Sequence, residues 1–305
     1  MNRIYLDTAR LLTQVVPLVF VHDRLALKGG TAINLFIRDM PRLSVDLDLV
    51  FTDHTVGRED ALARINAAVG EGARQMRAQG LEVHVPLLEL TVKHDYWFAG
   101  QAQRFKVEIN TVIRGTVHPV RHAALTKLAR ETLLAEIEIP VLALEDVYGG
   151  KPVAALDRQH PRDLFDVMQL FAHEGITAAI RRAFVVYLAS HNRPVHEVLF
   201  PQLRDIRADY EQNFVGMTTE PVELTALVEA RARMIKELQA GLDSAERRFL
   251  LSLVRAEPDW KALGVAHMSD FPAIRWKLHN LTQLKQERPK QFELQYTALA
   301  ERLAR

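Results

Sequence analysis

Apolar residues change their spacing several times along this chain, and each change marks a different kind of element. Through residues 1–22, Leu11, Leu12, Val15, Val16 and Leu18 recur at helical intervals and predict a helix with one apolar side. A glycine pair at Gly29-Gly30 opens a second helix over 31–37, and Pro41 separates it from the next segment. The period then shortens to two in Val45-Asp46-Leu47-Asp48-Leu49. That is strand spacing: Val45, Leu47 and Leu49 face a core, while Asp46 and Asp48 both face the other way. Residues 60–79 return to helical spacing and stop at Gly80. Strand-like runs come next at 81–85, 88–93 and 105–113. In the third, Glu108 sits on the face opposite Phe105, Val107 and Ile109, and Tyr96, Trp97 and Phe98 read as core-filling aromatics between strands.

From about Leu142 the pattern is wholly helical, with segments at 144–156, 161–173, 176–190, 221–240, 244–257, 272–287 and 289–304. The class is α+β: a mixed-sheet N-terminal half followed by an all-helical C-terminal half, divided near Gly175 into domains of 1–175 and 176–305. The chain of 305 residues is 48% hydrophobic and 25% charged, ordinary for a globular protein of one large or two moderate domains. No apolar run approaches the roughly 20 residues that span a bilayer, and Asp7 comes too early for a secretory leader. With no cysteine, disulfides and zinc-thiolate sites are excluded, and a cytoplasmic protein is expected.

Net charge is +1, so the molecule as a whole is not a polycation. Between residues 114 and 130, however, Arg114, Arg121, Lys127 and Arg130 stand with His118 and His122 and no acid. The stretch from Arg275 onward is also basic-leaning. Either stretch suits a solvated helix face, or a rim for a polyanionic acceptor.

The candidate chemistry lies in Lys28-Gly29-Gly30-Thr31-Ala32 and in the downstream run Arg42-x-Ser44-x-Asp46-x-Asp48. Two aspartates on one strand face lie about 6.5–7 Å apart at their Cα atoms and suit a hard cation such as Mg²⁺, which keeps positions open for substrate phosphates. A glycine turn entering a helix leaves backbone N–H groups for those phosphates. Glu108, on a neighbouring strand, is either a third carboxylate for the same site or a solvent-facing strand residue. Further on, Lys151 and Arg158 lie two helical turns apart, followed by Asp163 and Asp166 one turn apart. On residues alone, a helix pair closed by salt bridges accounts for that cluster.

Taken together, Lys28-Gly29-Gly30-Thr31-Ala32, Arg42-x-Ser44-x-Asp46-x-Asp48-Leu49 and the Lys151/Arg158 and Asp163/Asp166 pairs resemble the AbiEii-type nucleotidyltransferase toxins, a branch of the DNA polymerase β-like nucleotidyltransferase superfamily. The resemblance covers roughly residues 25–175. It implies a polymerase β-like nucleotidyltransferase domain with Asp46, Asp48 and Glu108 as Mg²⁺ ligands. It also implies an NTP held by Lys28, Gly29, Gly30, Thr31, Ser44, Lys151 and Arg158, with Asp166, or less directly Asp163, as the further essential acid that orients Lys151. A toxin–antitoxin or phage-defence role is implied as well, with a cognate antitoxin as partner. So is an RNA acceptor, expected at the tRNA 3′ end and on the Arg114, Arg121, Lys127 and Arg130 surface. The alternatives are transfer to a small molecule or protein hydroxyl, and a catalytically silent interaction protein. Ser44 carries a separate expectation: its hydroxyl either caps the loop or, phosphorylated beside the aspartates, switches the enzyme off.

Overall fold

In the computed structural model, residues 3–20, 24–84, 93–99 and 104–304 are described. The chain divides into two compact units, Met1–Val147 with Phe214–Val222 and Tyr148–Asn213 with Glu223–Arg305. This division falls inside a helix rather than near residue 175, and it returns the short 214–222 segment to the first unit. Backbone hydrogen bonds explain the return: Leu43 N donates to Met217 O at 2.9 Å and Thr219 N to Pro41 O at 2.9 Å, while Arg42 and Thr218 form an antiparallel bridge.

Among its described residues the first unit holds a seven-stranded mixed sheet in the order β3-β4-β5-β2-β1-β7-β6. Its strands are β1 (Leu25–Lys28), β2 (Asp46–Phe51), β3 (Glu82–His84), β4 (Lys93–Ala99), β5 (Arg104–Asn110), β6 (Arg121–Ala124) and β7 (Glu138–Val141). β2 lies near the middle, antiparallel to β1 and parallel to β5. Its alternation is the one the sequence predicts, with Leu47, Leu49 and Phe51 buried and Asp46 and Asp48 half-exposed on the other face. Helices α1 (Arg3–Val19) and α3 (Arg58–Ala78) supply apolar cover with Leu12, Val15, Val16, Ile65 and Met76. Tyr96, Trp97 and Phe98, expected between strands, lie within β4. Of the strand expected over 88–93, only Lys93 belongs to the described residues, as the first residue of β4.

The glycine pair opens a three-residue helix, α2 (Gly29–Thr31), continued by a π-helix at Ala32–Ile37. A short α4 (Lys127–Leu133) comes after β6. The second unit has only helices as regular elements among its described residues. It contains most of α5 (Leu144–Arg158), then α6 (Pro161–Ala172), α7 (Ala178–Ser190), α8 (Val195–Leu199), α9 (Arg207–Asn213), α10 (Leu224–Gly241), α11 (Ser244–Val254), α12 (Pro272–Glu287) and α13 (Pro289–Leu303). Phe184, Leu188, Met234, Phe249, Leu253 and Ile274 form its core. Asp243 and Glu246 close a capping box at the start of α11, and Pro272 and Pro289 stand in the first turns of α12 and α13. No helix of the described residues is long and apolar enough to cross a membrane.

Candidate active site

Strand register assembles the acids of the first unit. Lys28 on β1 lies opposite Asp48 on β2, and Asp48 lies opposite Glu108 on β5. Asp46 lies opposite Lys106. Paired residues on adjacent strands share a face, so Lys28, Asp46, Asp48, Lys106 and Glu108 stand on one surface of the sheet. Lys106 is not among the residues that the sequence motifs single out. The alternation of β5 does carry the signal, because Lys106 lies two residues before Glu108 and therefore on the same side of the strand. The structure pairs these two residues directly through Lys106 Nζ and a Glu108 carboxylate oxygen.

The glycine turn is fitted against this face. Gly29 has φ +74°, in the left-handed region, and a Cβ there would lie 2.4 Å from Asp48 Oδ2 and 3.0 Å from Asp48 Cβ. Only glycine permits both the backbone angle and the closeness of the carboxylate. A Cβ on Gly30 would meet the guanidinium of Arg42 at 2.6 Å and Ser44 Oγ at 3.1 Å. Arg42 is buried beneath the turn, donating from Nη1 to Leu43 O at 2.9 Å. The Arg-x-Ser-x-Asp-x-Asp run is thus one continuous brace: the residues before the strand support the turn, and the strand presents the acids.

Thr31 and Ser44, expected at the nucleotide, are both buried beneath the turn. Thr31 is 1% and Ser44 7% exposed; Thr31 Oγ1 donates to Asp46 O and lies 2.9 Å from Ser44 Oγ. Both hydroxyls fasten the turn to the start of β2, which favours the loop-capping role of Ser44 over a modifiable switch. Arg114 also departs from the expectation of a surface residue. It is buried, with Nη1 donating to Val56 O and Gly57 O at 3.3 Å each, and burial, followed by the neighbouring Arg58, pushes its pKa down. Arg121, Lys127 and Arg130 are exposed. Folding brings them acids that the linear stretch lacks: Glu145 lies 4.0 Å from Arg121 and Glu131 4.0 Å from Lys127, while Asp146 holds His118 at 2.7 Å.

In the second unit, Lys151 on α5 lies 3.1 Å from Asp163 and 2.9 Å from Asp166, both on α6. All three side chains are buried, Asp166 completely. Arg158 adds a fork on Asp163, with Nε to Oδ2 at 2.8 Å and Nη2 to Oδ1 at 2.9 Å. Burial alone would raise the pKa of Asp163. The charges of Lys151 and Arg158, with hydrogen bonds from both, outweigh it and hold the carboxyl far below the usual carboxylate range. The spacing of Lys151, Arg158, Asp163 and Asp166 therefore does bring them together, as the salt-bridged helix pair. Asp166 has no exposed surface and lies against the Lys151 ammonium.

Among the described residues, no three His, Cys, Asp or Glu side chains converge as a ready-made metal group. The donor set nevertheless fits one hard divalent ion. Asp46 and Asp48 offer half-exposed carboxylates on one strand face, and one or two carboxylates with substrate phosphates are what Mg²⁺ typically takes.

The first unit is thus a mixed sheet that carries an Asp-x-Asp pair on a central strand, beside a glycine turn that closes on the second aspartate. The chain belongs to the family described as nucleotidyl transferase AbiEii toxin, type IV toxin–antitoxin system, which it matches over residues 10–280. It is accordingly a nucleotidyltransferase toxin of that system. Its fold is similar to that of MenT4, a nucleotidyltransferase toxin from Mycobacterium tuberculosis H37Rv, with a TM-score of 0.60 at 19% identity, covering 91% of this chain and 92% of that one. The curated proteins contain no match.

Proposed function

We propose that this toxin transfers a nucleoside monophosphate from an NTP to a hydroxyl of an RNA, at the 3′ end of a tRNA, in the cytoplasm and under the control of a cognate antitoxin. The observation that carries the reading is the carboxylate face of β2 closed by Gly29. Asp46 and Asp48 would hold a Mg²⁺ ion, which neutralises charge on the phosphates when bound. Glu108, opposite Asp48, extends the acidic row and accepts a hydrogen bond from the attacking hydroxyl. That oxygen bonds to the α-phosphorus as its proton passes to the Glu108 carboxylate, the bond from the α-phosphorus to the bridging oxygen breaks, and pyrophosphate leaves. The N–H groups of Gly29 and Gly30, with Lys28 in register beside Asp48, receive the phosphates.

For Lys151 and Arg158 the family resemblance proposes contact with NTP phosphate, with Asp166 orienting Lys151. The burial of Asp166 at 2.9 Å from the ammonium supports the orienting part. The exposed Arg121, Lys127 and Arg130 support a polyanionic acceptor. The test is an incubation of the protein with Mg²⁺, each α-³²P-labelled NTP in turn and total cellular RNA. A labelled band of tRNA size is the expected result. Label on protein or on small molecules would replace RNA as the acceptor, and no label anywhere would return the chain to a silent interaction role.

A further inference from the structure

The carboxylate face contains its own cation. Lys106 lies opposite Asp46 in the parallel β2–β5 register, and its ammonium is paired with Glu108, which lies opposite Asp48. Both side chains are about four-fifths buried, at 21% and 22% exposure, so the pair is not a loose surface contact. The register sets Asp46, Asp48 and Glu108 side by side on this face, with Asp95 of β4 opposite Glu108 in turn and Lys28 and Lys106 among them. Like charges on adjacent strand positions repel one another unless a cation lies among them. Lys106 supplies that cation from the chain itself.

We infer that Lys106 competes with the divalent ion for Glu108, so that the ion's protein ligands are Asp46 and Asp48 alone and Glu108 is withheld from it. The inference rests on the reading of Asp46 and Asp48 as the metal-holding pair. Its physical basis is that an ammonium and a divalent cation cannot share the same carboxylate oxygens without strong mutual repulsion. A face neutralised in this way stays assembled before the nucleotide arrives, and it binds the free ion weakly, so the ion enters with the phosphates of its NTP.

Mn²⁺ titration of the full chain without nucleotide, followed by the electron paramagnetic resonance of the free ion, tests this directly. Lys106→Met should lower the Mn²⁺ dissociation constant about five- to tenfold, the scale on which a partly exposed ion pair competes. Lys106→Arg should leave it near wild type. Lys106→Met/Glu108→Gln has the wild-type net charge on this face and no freed Glu108 carboxylate: its affinity should return to the wild-type value. Wild-type affinity in Lys106→Met would overturn the inference, and so would a gain that persists in the double variant, since the gain would then not come from a freed Glu108 carboxylate; an equal gain in Lys28→Met, which removes the same charge and frees no Glu108, would mark a simple charge effect and overturn it too. Asp46→Asn should lose the Mn²⁺ site in either background. Retained binding in Asp46→Asn would instead overturn the metal reading on which the inference stands.

Discussion

Gly29 and Asp48 occupy space that cannot take one more carbon. A methyl group at Gly29 would push the Asp48 carboxylate out of its position, and the left-handed backbone would cost about 1 kcal/mol more for any other residue. Gly29→Ala should therefore reduce nucleotidyl transfer at least about tenfold while lowering the melting temperature by only a few degrees. Full transfer in that variant would show that the carboxylate does not need its present place.

Lys151 makes the opposite case, since its removal strikes stability first. Lys151→Met would take the ammonium from between the buried Asp163 and Asp166 carboxylates, a loss of about 3–5 kcal/mol for a broken buried pair. Calorimetry should find a melting temperature lower by roughly 6 °C or more. A folded, equally stable Lys151→Met protein would contradict the ion-pair assignment. Asp163 adds a pH dependence with a definite sign. Its folded pKa lies below the unfolded value of about 3.9, so its contribution is complete above that pH and declines as pH falls through it toward the folded value. Denaturant titrations between pH 5 and pH 2 should show this loss, and Asp163→Asn should flatten it.

At the scale of elements, the second unit depends on a close helix crossing. A Cβ on Gly149 of α5 would lie 2.6 Å from Ala183 Cβ and 2.9 Å from the Ala183 carbonyl carbon and the Phe184 nitrogen on α7. Two of these three are backbone atoms, which cannot rotate away as a side chain end can. Gly149→Ala should cost about 1–3 kcal/mol as overpacking despite the better helix propensity of alanine, and a stabilised variant would refute the crossing. The sequence makes α12 and α13 legible because Pro272 and Pro289 mark their first turns. It makes β2 legible because one of its faces is polar. β1 is hidden, since three of its four residues are buried and no alternation remains to be seen. β7 is hidden by its shortness and by Pro140, and the docking of 214–222 onto the loop before β2 depends on partners more than 170 positions apart in the chain. Asp46, Asp48 and Glu108 can be found from period alone. The burial of Thr31, Ser44 and Arg114 cannot, because it comes from a turn and loops that pack only after folding.

The whole molecule is almost neutral, so any grip on RNA must be local. Arg121 and Lys127 are exposed but each has an acid about one ion-pair distance away, which reduces their pull without cancelling it. Replacing both with alanine should weaken RNA binding more than NTP binding and flatten its salt dependence by up to about one log–log unit per lost phosphate contact. An unchanged slope would move the RNA path to another surface. The central claim is that the Asp46–Asp48 face performs nucleotidyl rather than phosphoryl transfer. It is tested most directly by parallel incubations of wild type and Asp48→Asn with the same NTP labelled at the α- or the γ-phosphate. The account predicts incorporation of α-label but not γ-label by wild type, and of neither by a folded Asp48→Asn protein. Incorporation of γ-label, or equal α-label from the two proteins, would contradict it.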